Sequence, residues 1–214
     1  MNTFDTPLAK LSRISDTHAK KLKKLGLFTV NDLLYHFPVR YDDFSHIYNI
    51  NELTEESNAT VTGYISNVKT TRIYKRHLTI TSATITDDSG SIEMIWFNQA
   101  FVERTLQTDK KLRVSGKIAL SKKGIMQFNS PNVERLERVP TSTGRLVPIY
   151  PETAGITSKW LRWQIQMILS KDMTYDDPIP KNILDKLNLQ SLGDALKTIH
   201  FPKTELEVEY ASKR

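Results

Sequence analysis

Residues Ile92–Leu106 read I-E-M-I-W-F-N-Q-A-F-V-E-R-T-L, and the way this stretch changes period decides the architecture. Period-two alternation over its first half predicts a β-strand with Ile92, Met94 and Trp96 on one face and Glu93, Ile95 and Phe97 on the other. Its second half predicts a short helix in which Val102 and Leu106, four residues apart, form a core stripe. Phe101 lies ~100° or more around that helix from the stripe. Phe97 and Phe101 therefore belong to neither core face and meet at a strand-to-helix corner. Alternation alone leaves two uses open for them: plugging the end of the β-rich unit against residues 1–50, or presenting aromatic surface to a partner.

The charge distribution gives that corner a setting. The chain carries a net charge of +6 over 214 residues. Residues 61–138 hold 13 Lys+Arg and 7 Asp+Glu, so the whole excess lies in this segment, and the 17 basic and 17 acidic residues elsewhere cancel. One-sided charge confined to a single β-rich segment favours a polyanionic partner.

Around the corner the segment reads as five strands. V-T-G-Y-I-S-N-V (61–68) is the first, with Val61, Gly63 and Ile65 on one side, and Lys69 to His77 follow as a basic connection. L-T-I-T-S-A-T-I-T (78–86) is the second, and a phase shift in its apolar residues predicts a bulge near Thr81 and Ser82. Asp87-Asp88-Ser89-Gly90 is a hairpin turn leading into the third strand. Lys111–Leu120 is the fourth, with Leu112, Val114 and Ile118 inward and Arg113 and Lys117 outward; Ser121–Gly124 turns into the fifth, which starts at Ile125. Five strands with a helix between the third and fourth is the order of an OB-fold barrel, which binds nucleic acid on the face of strands two and three and through loops one-two and four-five. The fold expected is α+β: a five-stranded OB-fold barrel at 59–138, flanked by a helical segment and strap at 1–58 and an extended strap and helical connector at 139–214.

In the flanks, Ser15 is placed to cap a helix running to Leu25 with Gly26 just past its end, and Thr29 to cap a second. Thr157 or Ser158 begins a helix whose apolar positions cover more than one stripe, so burial on more than one side is expected, with Trp160 and Trp163 used in packing. A further helical segment is expected from Lys181 to Ile199. The tail E-L-E-V-E-Y-A-S-K-R ends on charged residues without a closing element, and the chain looks cut.

Several chemistries find no residues here. Cysteine is absent, which removes thiolate catalysis and disulfides. There is no G-x-x-x-x-G-K-[ST] loop to cradle phosphates, and the five histidines are scattered without metal-ligand spacing. No serine sits in a nucleophile elbow. Neither a secretory signal nor an apolar run of membrane-spanning length occurs, so an intracellular chain is the default. The chain alone is expected to catalyse nothing and to hold no cofactor.

Four blocks then carry a resemblance: L-K-K-L-G-L-F-T-V-N-D-L-L-Y-H-F-P-V-R-Y-D-D (22–43), W-F-N-Q-A-F (96–101), L-V-P-I-Y-P-E-T-A-G-I-T (146–157) and A-L-K-T-I-H-F-P (195–202). In order and spacing they resemble the N-terminal region of the bacterial RecG-type ATP-dependent DNA helicases, and they cover nearly the whole chain. The resemblance implies a wedge domain that engages branched DNA (replication forks and four-way Holliday junctions) in recombination and repair. It implies helicase motor domains in cis, with ATP and Mg used only there, and a monomeric, cytoplasmic, nucleoid-associated bacterial protein. It assigns base stacking to Phe97 and Phe101, the second of which is often tyrosine in the family. Lys69, Arg72, Lys75, Arg76, Arg113, Lys117, Lys122 and Lys123 are then the candidates for the DNA backbone. Relatives often carry a glycine-bracketed turn where this chain has Arg13-Ile14-Ser15. Phosphate contacts by helical hairpins use such glycines, so residues 8–25 read as packing elements. Two other readings stay open: a free-standing OB module for single-stranded DNA or RNA, and a protein-docking scaffold whose aromatics are hot spots.

Overall fold

The computed structural model describes residues 4–74, 77–106, 110–136, 143–170 and 175–214. The chain forms two compact units: residues 43–147 make one, and residues 1–42 with 148–214 make the other. Short strands β1 (Arg40–Asp43) and β7 (Leu146–Ile149) lie where the chain passes from one unit to the other.

The unit built from the two ends of the chain is helical. Helix α1 (Asp16–Lys24) starts at Ser15, whose Oγ accepts the His18 N–H, and stops before Gly26, which takes φ 76°. This is the left-handed position that glycine fills without a Cβ penalty. Helix α2 (Val30–Leu34) starts on a capping box in which Thr29 and Asp32 satisfy each other's backbone N–H groups. Helix α4 (Ser158–Leu169) is capped by Thr157. Leu8, Ile14, Leu22, Leu33 and Leu34 share a core with Tyr150, Ile156, Leu161, Ile165 and Leu196. Residues 8–25 thus supply core, as the missing glycines suggest. The buried face of α4 is wide enough to include Arg162 and Gln164 as well as its aliphatics. Trp160 stacks on His18 at 4.9 Å, and Trp163 lies under the Arg13 guanidinium at 5.5 Å.

Two expectations for the C-terminal flank need correction. The single helix expected from Lys181 to Ile199 is two, α5 (Lys181–Leu187) and α6 (Leu192–His200). Asn188 adopts φ 50°, which ends α5, and Ser191 caps α6 by accepting the Asp194 N–H. The charged tail is helix α7 (Glu205–Ser212), capped by Thr204.

The other unit is a closed barrel with strand order β2-β3-β4-β6-β5. Its strands are β2 (Asn58–Ile73), β3 (Leu78–Thr86), β4 (Ser91–Phe97), β5 (Lys111–Leu120) and β6 (Met126–Arg135), with helix α3 (Phe101–Thr105) between β4 and β5. Among the described pairings between barrel strands, β4–β6 is parallel and the other four are antiparallel. The five-stranded α+β architecture read from the sequence is therefore present. Val61, Ile65, Ala83, Ile85, Met94, Trp96, Val114, Ile118 and Phe128 fill the barrel, and the Trp96 indole donates to the Pro131 carbonyl at 2.9 Å. Closure depends on close approach at Gly63, where a Cβ would stand 2.3 Å from the Thr86 oxygen.

Two local features differ from the sequence reading. Lys69–Ile73 is not a connection but the second half of β2, paired with Leu78–Ser82 of β3. The bulge is also on β2, not β3. Between Ser66 and Lys69 the register slips by one residue, at Asn67 with φ 53°, while β3 pairs with β4 without interruption from Ile80 to Thr86. Ile80 is simply an outward apolar residue, and Thr81, fully buried, takes the inward position. An apolar outer face here imitates an inner one, and β3 makes no phase shift.

Candidate nucleic-acid interface

The corner at the end of β4 is built as its sequence requires. Ile92, Met94 and Trp96 enter the core, Glu93, Ile95 and Phe97 face outward, and Val102 anchors α3 from below. Phe97 is 43% exposed and Phe101 63% exposed. Among the described residues neither ring packs on another aromatic ring. The strand does not fade into the helix gradually. Asn98 takes φ 55°, donates its N–H to the Thr79 carbonyl at 2.7 Å and accepts the Thr79 N–H on its side-chain oxygen at 3.1 Å. One residue later, buried Thr81 donates its hydroxyl to the Gln99 carbonyl at 3.2 Å. The Thr70 hydroxyl lies 3.0 Å from that of Thr81 and completes a polar line from β2 to the corner.

The outer face beside Phe97 continues its apolar character. Register places Ile80 directly opposite Phe97 and Thr71 opposite Ile80, with the Ile73–Leu78 pair two residues beyond. Ile95 precedes Phe97 on the same face. Ile73, Leu78, Ile80 and Ile95 are all half-buried. Sequence reading missed them as a surface, although alternation through Leu78, Ile80 and Ser82 carried the signal.

The basic candidates divide into three groups. Lys69 and Arg72 are exposed on the second half of β2, and Lys117, Lys122 and Lys123 are exposed on β5 and its turn. Lys69 and Lys117 end one register row, Lys69–Ser82–Ile95–Asn129–Lys117, which flanks Ile95 with polar groups on both sides. Among the described residues none of these five cations forms a salt bridge, so their charge is uncommitted. Arg113 differs. It is half-buried, its Nε is buried, and its side chain lies close under Gly144, so it does not join the exposed set. Lys75 and Arg76 lie outside the described residues.

The carboxylate pair Asp87-Asp88 also has its place. Asp87 accepts the Ser89 and Gly90 N–H groups and the Ser89 hydroxyl within the turn, and the Ile50 N–H. Partial desolvation pushes its pKa up, but these hydrogen bonds outweigh it and hold the carboxyl below its ordinary value. That is the chemistry of a turn. Among the described residues no three His, Asp or Glu side chains converge as a metal would need, and no helix is long and apolar enough to cross a membrane.

The profile of the RecG wedge domain matches residues 8–175. The chain is 33% identical to an ATP-dependent DNA helicase RecG of Synechocystis over 98% of its length, and 32% identical to that of Thermotoga maritima over 99%. It spans about 27% of the length of each of these relatives. A solved structure of RecG bound to a three-way DNA junction superposes with a TM-score of 0.80 at 29% identity, covering 98% of this chain and 29% of that one. The wedge-domain match takes in α1, α2, the barrel with its corner, and α4, and the chain belongs to the RecG wedge-domain family.

Proposed function

We propose that this chain is the branched-DNA-binding wedge region of a RecG-like helicase, acting at forks and four-way junctions. Lys69, Arg72, Lys117, Lys122 and Lys123 capture the phosphate backbone, and Phe97 and Phe101 stack on bases exposed at the branch point. The observation that carries this reading is the pair of exposed phenylalanines at the corner, without aromatic partners among the described residues and set in the segment that holds the excess positive charge. The likeness to a RecG structure bound to a three-way junction supports it. Stacking is worth ~1–3 kcal/mol per base and tolerates any sequence, which suits a protein that meets branch points wherever they form. ATP-driven motor activity, in this reading, resides in the portion of the relatives that this chain does not span.

The half-buried isoleucines beside Phe97 favour a second reading, in which a single strand binds along the outer face of β2, β3 and β4 without any junction. Titration of the chain with a fork, a linear duplex and a plain single strand separates the two. Preference for the fork supports the wedge. Preference for the plain strand, or fork affinity unchanged in folded Phe97→Ala and Phe101→Ala variants, overturns it.

A further inference from the structure

The two phenylalanines are useful to a branch point only if the corner between them holds its shape, and the chain there is locally unfavourable. Left-handed backbone is rare for a residue with a Cβ, and asparagine is among the few that adopt it readily. Asn98 does so at φ 55° one residue after Phe97 and three before Phe101. It then closes a two-bond ring on Thr79: its backbone N–H donates to the Thr79 carbonyl at 2.7 Å, and its Oδ1 accepts the Thr79 N–H at 3.1 Å. Residue 98 thereby keeps the pairing of a β-ladder while its backbone turns out of one. The side-chain amide does the work of the missing carbonyl.

A second support arrives from below. Thr81 is fully buried, and its hydroxyl donates to the Gln99 carbonyl at 3.2 Å. That leaves the neighbouring Thr70 hydroxyl, 3.0 Å away, to donate to Thr81. Thr70 stands opposite Thr81 because the bulge at Asn67 has advanced β2 by one residue. The two threonines and the corner are therefore one hydrogen-bonded line, set in register by the bulge. Threonine at an inward position of a barrel strand costs burial of a hydroxyl, which a valine of the same shape would avoid. The hydroxyl has a bond to make at the corner.

We propose that Asn98 is a positioning residue for junction binding, with Thr81 as its support: together they fix the directions in which Phe97 and Phe101 are presented to the branch point. This rests on the stacking reading above. Neither residue need touch DNA. Their effect passes through the backbone of residues 97–101.

The test uses the whole 214-residue chain, a fork carrying 2-aminopurine at the branch, and a linear duplex of the same length. Asn98→Ala removes both the side-chain acceptor and the residue's tolerance of left-handed backbone. Asn98→Gly keeps the backbone and removes only the acceptor. Thr81→Val keeps the volume and removes the hydroxyl. Each hydrogen bond at such a site is worth a factor of roughly 2–10. Fork affinity is expected to fall by about that factor in Asn98→Gly and Thr81→Val, and further in Asn98→Ala. Linear-duplex affinity stays at the wild-type value, and the 2-aminopurine signal moves toward that of Phe97→Ala. A residue that merely stabilised the barrel would shift the melting temperature without shifting the fork-to-linear ratio. Folded Asn98→Gly and Thr81→Val variants with wild-type ratio and wild-type fluorescence overturn the inference, even if Asn98→Ala fails to fold. If Phe97→Ala itself leaves fork binding and fluorescence unchanged, the stacking reading falls and takes this inference with it. If Phe97→Ala lowers both and the Asn98 variants lower neither, only this inference falls.

Discussion

The phenol of Tyr150 hydrogen-bonds Nδ1 of His200 at 2.8 Å, with both side chains removed from solvent. On its other nitrogen His200 donates to the Leu34 carbonyl at 2.8 Å, so in the neutral ring Nδ1 is the acceptor of the Tyr150 hydroxyl. Desolvation is the main reason its pKa is lowered to about 4; the Leu34 hydrogen bond opposes the shift, and the charge of His36 adds to it. In the unfolded chain the same group titrates near its ordinary 6.5. Its folded-state pKa is depressed, so its contribution to stability is complete above pH 6.5 and is lost as pH falls toward 4. The full loss is about 3 kcal/mol. Urea midpoints measured between pH 7.5 and pH 4 are expected to fall with acid. In His200→Gln, itself less stable, the part of that fall due to this residue disappears. Identical pH slopes in wild type and variant would rule the assignment out.

Phe97→Ala and Phe101→Ala remove exposed rings and are expected to change stability little. Each is expected to weaken fork binding by roughly five- to a hundredfold, with linear duplex affected much less. Fluorescence anisotropy on labelled forks, with circular dichroism as the folding check, reads both quantities.

Salt dependence sorts the basic residues. Log affinity for fork DNA should fall linearly with log salt, and each of Lys69→Ala and Lys117→Ala should reduce that slope by about 1. Arg113→Ala should leave the slope unchanged, because the Arg113 side chain lies under Gly144 rather than on the open surface. Its loss should appear in thermal melting instead. A slope change in Arg113→Ala equal to that in Lys69→Ala would contradict its placement.

Gly63→Ala tests barrel closure directly. A Cβ there would stand 2.3 Å from the Thr86 oxygen, so β2 and β3 must part or shift. A destabilisation of about 1–3 kcal/mol is expected from equilibrium unfolding, and fork binding should persist while the chain stays folded.

The sequence made some of this legible and hid the rest for identifiable reasons. Caps were readable because their chemistry is local: Ser15, Thr29 and Thr157 each bond a backbone N–H within three residues. The two faces of Ile92–Phe97 were readable because that strand separates core from surface cleanly. Where an outer face is itself apolar, alternation misleads, as at Ile80 on the outer side of β3. Lys69–Ile73 resembled a loop because its residues are basic and polar, but its place in the sheet depends on pairing with Leu78–Ser82, a non-local fact. Arg113 alternates outward as expected, and only the return of the chain at Gly144 covers it. At the candidate site, Phe97 and Phe101 were visible as residues without a core to join. Asn98 and Thr81 were not, since a left-handed asparagine and an inward threonine show their purpose only through bonds to Thr79 and Gln99.

The division of the chain into its two units sets an order on biosynthesis. The barrel is drawn from one uninterrupted stretch, residues 43–147, whereas the helical core joins Leu8, Leu22 and Leu34 to Leu161, Ile165 and Leu196. Chains emerge N-terminus first, at ~5–20 residues per second. The barrel therefore has all its strands while the first helices still lack the partners that complete their core. Leu22, Leu33 and Leu34, fully buried in the finished protein, gain Leu161, Ile165 and Leu196 as core partners only after every strand of the barrel has been made.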